Sequence, residues 1–381
     1  MDSRVGVRLG AAAAAVAVVA LAVPVVLHSD WANTTVRTAA APRKLGLVPL
    51  PATLRLRWQA AGLPPAGAPS AGAAAVQSDT VVVATAHRIE GRDPETGATR
   101  WFYERRNATL CDWTGRDGLV FAAFRKGHGC RDLVALSAGT GARTWYRNAE
   151  LDADITLSAM PSVLIAANPH GLVAFDTGGG LNRWTYGKSG CVLSPPVLGD
   201  LGVGLLAGCG SAAPQLVLVD AFSGKERFKP VAVGGAARVL STGQAVALLS
   251  GGAQRPTVTL YGQAGTPTAS FTDARLRYDD PGQAGATVYS GLIIGWTGRV
   301  VFAIPVGSPR LLWTVRGTGP AGTDADHAVT AAAGGFAEVN LSTGRITRTV
   351  PAPRGEAAPF ALDRVGTLLV ASGADGTAVF G

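Results

Sequence analysis

The sequence predicts an all-β fold, an eight-bladed β-propeller closed by its own two ends. Three observations predict it: a short pattern recurring about every 41 residues, strand-like runs between its copies, and a composition rich in turn formers. The pattern is an aliphatic run, Asp or a substitute, a Thr-Gly or Ser-Gly turn, then Trp. Asp93 with Thr96-Gly97 leads to Trp101, Ser137 with Thr140-Gly141 to Trp145, and Asp176 with Gly178-Gly179 to Trp184. Asp220 with Ser223-Gly224 leads to Phe228, and Asn340 with Thr343-Gly344 to Arg348. Two copies are degraded: Ala264-Gly265 with Phe271, and Gly307-Ser308 with Trp313. Trp58, in TLRLRWQA, reads as a last strand without its own turn. The anchors at 58, 101, 145, 184, 228, 271, 313 and 348 count eight units.

Between anchors the chain alternates like strands, as in Asp117 to Phe124, Asp132 to Leu136 and Gln215 to Val219, and about four strands fit each unit. After Val350 three strand-like stretches remain, Pro359 to Leu362, Gly366 to Ala371 and Thr377 to Phe380, whereas Thr53 to Gln59 is a strand lacking the first three. Joining the two ends completes an eighth blade and removes exposed edges. The pattern itself has a folding mechanism. Gly accepts the positive φ of the turn, Asp or Asn bonds turn amides, and the indole places a large apolar body between blades. Trp58, Trp101, Trp145, Trp184, Phe228, Phe271 and Trp313 are therefore the expected structural docking residues.

Composition narrows the function classes. With 47% hydrophobic and 16% charged residues among 381, the chain carries too much apolar surface to remain unfolded. Fifty Gly and 23 Pro without a Gly-X-Y period point to frequent turns rather than a collagen-like rod. The net charge of +8 is scattered as single arginines, so no nucleic-acid partner is indicated.

Gly10 to Leu27 is an uncharged apolar run of 18 residues behind Arg4 and Arg8. It is the length of a short transmembrane helix or of a signal-peptide core. No small-residue cleavage site follows Leu27, and the nearest alanine triplet starts at Ala39, which favours an uncleaved signal anchor. The expected organisation is a cytoplasmic N-terminus (1–9), a transmembrane helix (10–27), a linker (28–51) and the propeller (52–381) on the extracytoplasmic side of the cell membrane.

The segments GRDPETGATRW (91–101), ALSAGTGARTW (135–145) and AFDTGGGLNRW (174–184) resemble the tryptophan-docking repeat of the pyrroloquinoline-quinone (PQQ) propeller family. The resemblance covers roughly residues 52 to 381. It implies the eight-bladed fold and leaves two kinds of activity open, because the family holds quinone-dependent alcohol dehydrogenases and non-enzymatic bacterial members. The dehydrogenases carry a disulfide between adjacent cysteines, and none of Cys111, Cys130, Cys191 and Cys209 are neighbours. Asp152, Asp154, Asp324 and Asp326 form only D-x-D fragments, without a calcium loop. The expected function is a protein-interaction or ligand-sensing platform without catalysis and without cofactor, its partner an envelope protein or a small ligand. The alternative is a PQQ- and calcium-dependent dehydrogenase of alcohols or sugars.

Cys111 and Cys130 are 19 apart in one unit, and Cys191 and Cys209 are 18 apart in another, a parallel placement that reads as two intrablade disulfides in an oxidising compartment. Free thiols, or zinc with His128 as an extra ligand, are the competing readings. The histidines 28, 87, 128, 170 and 327 show no metalloprotease spacing, and no serine sits in a G-x-S-x-G elbow. Gly202 to Ala207 matches a dinucleotide fingerprint only formally, since it reads as strand. Thr272 to Gln283 and Thr318 to His327 are polar loops that could line one mouth of the ring.

Overall fold

The computed structural model describes residues 29–62, 75–351 apart from 153, 235, 309, 318, 322–325 and 333, and 361–381 apart from 374 and 375. The chain builds eight antiparallel blades in sequence order. Blade 1 runs Val76–Gln77, Thr80–Thr85, Arg88–Arg92 and Thr99–Arg105, and blade 2 runs Thr109–Arg116, Leu119–Lys126, Gly129–Ser137 and Arg143–Asn148. Blade 3 spans Thr156–Ala159 to Asn182–Tyr186, and blade 4 spans Cys191–Leu193 to Val231–Ala232. Blade 5 spans Arg238–Thr242 to Pro267–Thr272, blade 6 Gly285–Tyr289 to Trp313–Arg316, and blade 7 Pro320–Ala321 to Ile346–Pro351. Blade 8 takes Ala361–Val365, Leu368–Gly373 and Gly376–Phe380 from the end of the chain, and Leu56–Ala60 pairs with the last of these in the register Leu56↔Phe380 to Ala60↔Thr377.

Position within a blade explains each strand's sequence. Second strands are buried on both faces and read as continuous apolar runs, as in Leu119–Lys126 with five consecutive buried residues. Outer strands alternate, so in Thr99–Arg105 it is Trp101, Tyr103 and Arg105 that point inward. Eight apolar clusters follow, each spanning two consecutive blades, including one between blades 8 and 1 built from Val365, Leu368, Val370 and Val379 against Ala75, Val81 and Val83. Arg105, a cation at an inward position, is bound by Asp132 of blade 2 at 2.5 Å.

The expected linker is the main departure. Thr34–Arg37 adds a fifth strand to the outer edge of blade 1, with Val36 opposite Tyr103. Asp30 just before it meets Lys126 and Arg105. The chain then crosses the ring: Ala39 N–H donates to the Thr140 carbonyl, Pro42 lies beside Gly139, and Val48 N–H donates to the Gly366 carbonyl. It ends with Leu50 and Leu54 buried between blades 7 and 8. This stretch is a strap, because its aliphatic side chains have buried surface to cover. The expected transmembrane segment, 10–27, lies outside the described residues, and among those no helix is long and apolar enough to cross a membrane.

Two disulfides are present, Cys111–Cys130 and Cys191–Cys209, both within a blade. Gly202–Cys209 is the second strand of blade 4. Of the two polar loops, Thr272 to Gln283 is drawn into two short 3-10 turns that bury Leu276. Within Thr318 to His327, Pro320–Ala321 is the innermost strand of blade 7, and Ala321 pairs in parallel with Leu362 of blade 8.

Candidate interaction surface

Because strands alternate in direction, the turns between first and second strands and those between third and outer strands share one rim of the ring. All the docking turns belong to the latter set. In four of them an acidic or amide side chain organises the backbone: Asp93 Oδ1 accepts from the amides of Glu95 and Thr96, Asp176 Oδ2 from that of Gly179, Asp220 Oδ1 from those of Phe222 and Ser223, and Asn340 Oδ1 from that of Thr343. The chain then reaches a glycine at positive φ, namely Gly97, Gly141, Gly180, Gly224, Gly265 and Gly344. In blade 3 this glycine is Gly180, one residue beyond the Gly178-Gly179 turn expected from sequence.

Each of these glycines lies under an aromatic ring of the preceding blade. A Cβ on Gly97 would meet Trp58, on Gly141 Trp101, on Gly180 Trp145, on Gly224 Trp184, on Gly265 Phe228 and on Gly344 Trp313, with nearest distances of 2.3 to 2.7 Å. The five indoles also donate Nε1–H to the carbonyl following the capping residue: Trp58 to Pro94, Trp101 to Ala138, Trp145 to Thr177, Trp184 to Ala221 and Trp313 to Leu341, at 2.7 to 3.0 Å.

Phe271 and Arg348 depart from this arrangement. Phe271 lies opposite Val258 in its own sheet, and Gly307 of the next blade has nothing within 4 Å of a Cβ. Arg348 pairs with Glu338 of its own blade. These two junctions supplement their strand residues, Phe271 among them in the first, with apolar side chains from outside the blade strands. Leu276, Tyr278 and Ala284 of the connecting segment help to fill the one between blades 5 and 6, and Leu50 and Leu54 of the strap help to fill the one between blades 7 and 8.

The same rim gathers seven of the nine large apolar side chains exposed among the described residues. Leu181, Phe222, Leu312, Ile346, Leu47, Val48 and Leu56 all project from docking turns, outer-strand starts or the strap. Over blades 6 to 8 they lie among the exposed cations Arg55, Arg57, Arg310 and Arg345, none of which has an ion pair among the described residues. The third-to-outer turns of blades 6 and 7 and residues 43–57 carry no carboxylate. Asp326, between the first two strands of blade 7, is the acidic residue described nearby. Over blades 3 and 4 the rim differs, since Arg183 and Arg227 are paired with Asp176 and Asp220. Sequence reading missed this sector. Its signal was the basic residue that recurs after the turn glycine, as in GATR, GART, GKER and GRIT.

Nearer the centre, two carboxylates tie innermost strands across blade boundaries. Asp112 accepts from the Leu157 amide of blade 3, and burial pushes its carboxyl up to about 7. Asp363 accepts from the Ala75 amide of blade 1, and burial pushes it up to about 6.

The remaining sequence candidates do not converge. Asp152 accepts from Asn168, and Asp154 faces Arg125 at 3.9 Å. His128 is exposed, His87 Nδ1 lies 2.7 Å from the Ala108 carbonyl, and His28 and Asp324 fall outside the described residues. Among the described residues no three His, Cys, Asp or Glu gather as a metal donor set. The two disulfides join residues 19 and 18 apart in the sequence.

Solved structures share this fold. A computationally designed protein, Ika8, superposes with a TM-score of 0.60 at 15% identity, covering 87% of this chain and 99% of that one. BamB from Moraxella catarrhalis gives 0.50 at 17% identity, covering 80% and 94%, and the C-terminal WD40 domain of Sif2 gives 0.57 at 12% identity, covering 88% and 99%. No protein-family model and no curated protein matches the sequence.

Proposed function

We propose that the chain is an extracytoplasmic propeller of the PQQ-like repeat type, held at the cell membrane by residues 10–27 and closed by its two terminal strands. It serves as a protein-interaction platform without catalysis. The observation that carries this reading is the rim over blades 6 to 8, where unpaired guanidinium groups lie among exposed Leu, Ile and Val. Such a surface fits an acidic protein face that also offers apolar side chains, because each cation keeps its charge uncompensated until the partner arrives.

The path of the strap supports the orientation. Asp30 is bound beside Lys126, in the turn between the second and third strands of blade 2, which belongs to the opposite rim. An anchor ending at Leu27 therefore sets that opposite rim toward the membrane and leaves the cationic sector facing away from it. The two-disulfide framework suits an oxidising compartment.

The test places a photoreactive residue at Leu312 or Ile346 in the full-length chain in its own cells, with His128 as the control position on the opposite rim. The expected result is a discrete adduct from the first two positions that disappears in an Arg310→Glu/Arg345→Glu variant. Adducts that form equally from His128, or that survive the charge reversal, refute the assignment of this face.

A further inference from the structure

The two disulfides occupy different chemical settings. Cys130 is fully buried in the cluster between blades 2 and 3, among Phe121, Leu133, Leu151 and Leu157. Cys191 and Cys209 are both partly exposed. They face each other directly in register, on the first and second strands of blade 4, with Cα atoms 4.1 Å apart. The strand bearing Cys191 is three residues long, and Gly190 and Gly210 beside the pair have open space around them. Val192, adjacent in sequence, is 60% exposed and offers an apolar landing point on the same rim.

Thiol–disulfide exchange depends on access to one sulfur and on the stability of the departing thiolate. Attack on Cys130 is blocked by its burial, and attack on Cys111 expels the Cys130 thiolate into apolar surroundings, where a charged sulfur is disfavoured. Attack on Cys191 meets a lesser obstacle, because Cys209, though packed against the cluster between blades 3 and 4, is itself partly exposed, unlike the fully buried Cys130.

We propose that Cys191–Cys209 is a thiol-exchange site for an external dithiol, whereas Cys111–Cys130 is a permanent tie. One thiolate of the dithiol attacks Cys191 Sγ, forming a mixed disulfide and breaking the Sγ–Sγ bond, and Cys209 departs as a thiolate. The second thiol of the dithiol then attacks the mixed disulfide and releases Cys191. The dithiol is oxidised by two electrons, and blade 4 gains two thiols and two protons. Reduction leaves the Cys191 strand held by its three register pairs, the buried Leu193 side chain and the Leu193 N–H bond to the Pro169 carbonyl, next to the exposed Val192.

The test incubates the folded full-length protein with dithiothreitol, samples over time, alkylates with iodoacetamide and maps each cysteine by mass spectrometry, with tryptophan fluorescence recording that the fold persists. Cys191 and Cys209 are expected to label about tenfold faster than Cys111 and Cys130, or more. A Cys191→Ser/Cys209→Ser variant is expected to lose the fast labelling and to label only at the slow rate of Cys111 and Cys130 while it stays folded. Equal rates for the two pairs, earlier labelling of Cys111 and Cys130, or labelling of the 191/209 pair only as fluorescence reports unfolding, each overturns the proposal. The wild-type time course decides the matter even where the double variant does not fold.

Discussion

Gly141→Ala isolates the docking interaction when set beside Gly127→Ala. Both glycines have nearly the same backbone, φ +72° and +71°, so an added methyl carries a similar left-handed penalty of about 1–2 kcal/mol at each. They differ in what that methyl meets. At Gly127 there is nothing within 4 Å, whereas at Gly141 it would stand 2.6 to 2.7 Å from three atoms of Trp101. The indole has no retreat, since Trp101 is fully buried and its Nε1–H is fixed to the Ala138 carbonyl at 2.7 Å. Forcing a methyl into a filled contact costs about 1–3 kcal/mol. The expected totals are therefore about 1–2 kcal/mol for Gly127→Ala and about 2–5 kcal/mol for Gly141→Ala, read from equilibrium urea unfolding followed by fluorescence. Equal destabilisation would refute the claim that the glycine is required by the ring above it. Trp101→Phe extends the experiment, because it keeps most of the ring but leaves the buried Ala138 carbonyl without its donor, a loss of about 1–3 kcal/mol.

Asp132→Ala removes one of the two carboxylates on the buried Arg105, leaving Asp30 at 3.0 Å, together with the acceptor of the Tyr146 hydroxyl; a loss of about 1–3 kcal/mol in urea unfolding is expected, and unchanged stability contradicts the pairing. Asp112, raised from 3.8 to about 7, retains a proton in the folded state that the unfolded chain has released, so unfolding free energy falls as pH rises from about 4 to about 7. Asp112→Asn is expected to flatten that part of the stability–pH profile, and an unchanged slope counts against it. Leu54→Ala, in the filling between blades 7 and 8, is expected to cost about 2–5 kcal/mol by the same unfolding assay, whereas Leu47→Ala on the exposed part of the strap is expected to stay within about 0.5 kcal/mol.

Blade number and strand count were legible because docking imposes a local grammar: a cap, a positive-φ glycine and an aromatic must follow one another within about ten residues. Phe271 misled for a physical reason. The next turn, at Gly307, has lost contact with it, and a single chain position cannot reveal what its neighbour in space has become. The strap was illegible because its hydrogen-bond partners lie hundreds of positions away, such as the Gly366 carbonyl for Val48 and the Pro351 carbonyl for Leu54. The cations tell the same story from the opposite side. Along the chain Arg55, Arg310 and Arg345 are single charges far apart, and only the alternation of strands brings their turns to one rim.

The strap and the connecting segment before blade 6 then have a common rationale. Six of the eight junctions are filled by an aromatic ring over a glycine, and at the other two the filling includes Leu276, Tyr278 and Ala284 or Leu50 and Leu54 from outside the strands. Between blades 7 and 8 the reason is topological. Blade 8 draws its outer strand from the start of the chain, so its third and outer strands are joined by hydrogen bonds between Arg55 and Gly381 instead of by a turn. With no turn there is no positive-φ glycine for an indole to cover, and a tryptophan at position 348 would have no docking partner. Arg348 instead pairs with Glu338, and Leu50 and Leu54 occupy the vacated volume. The segment that fills this junction is continuous with the one that presents Leu47, Val48 and Arg55 to solvent. The packing that completes the ring therefore also fixes the cationic rim in place.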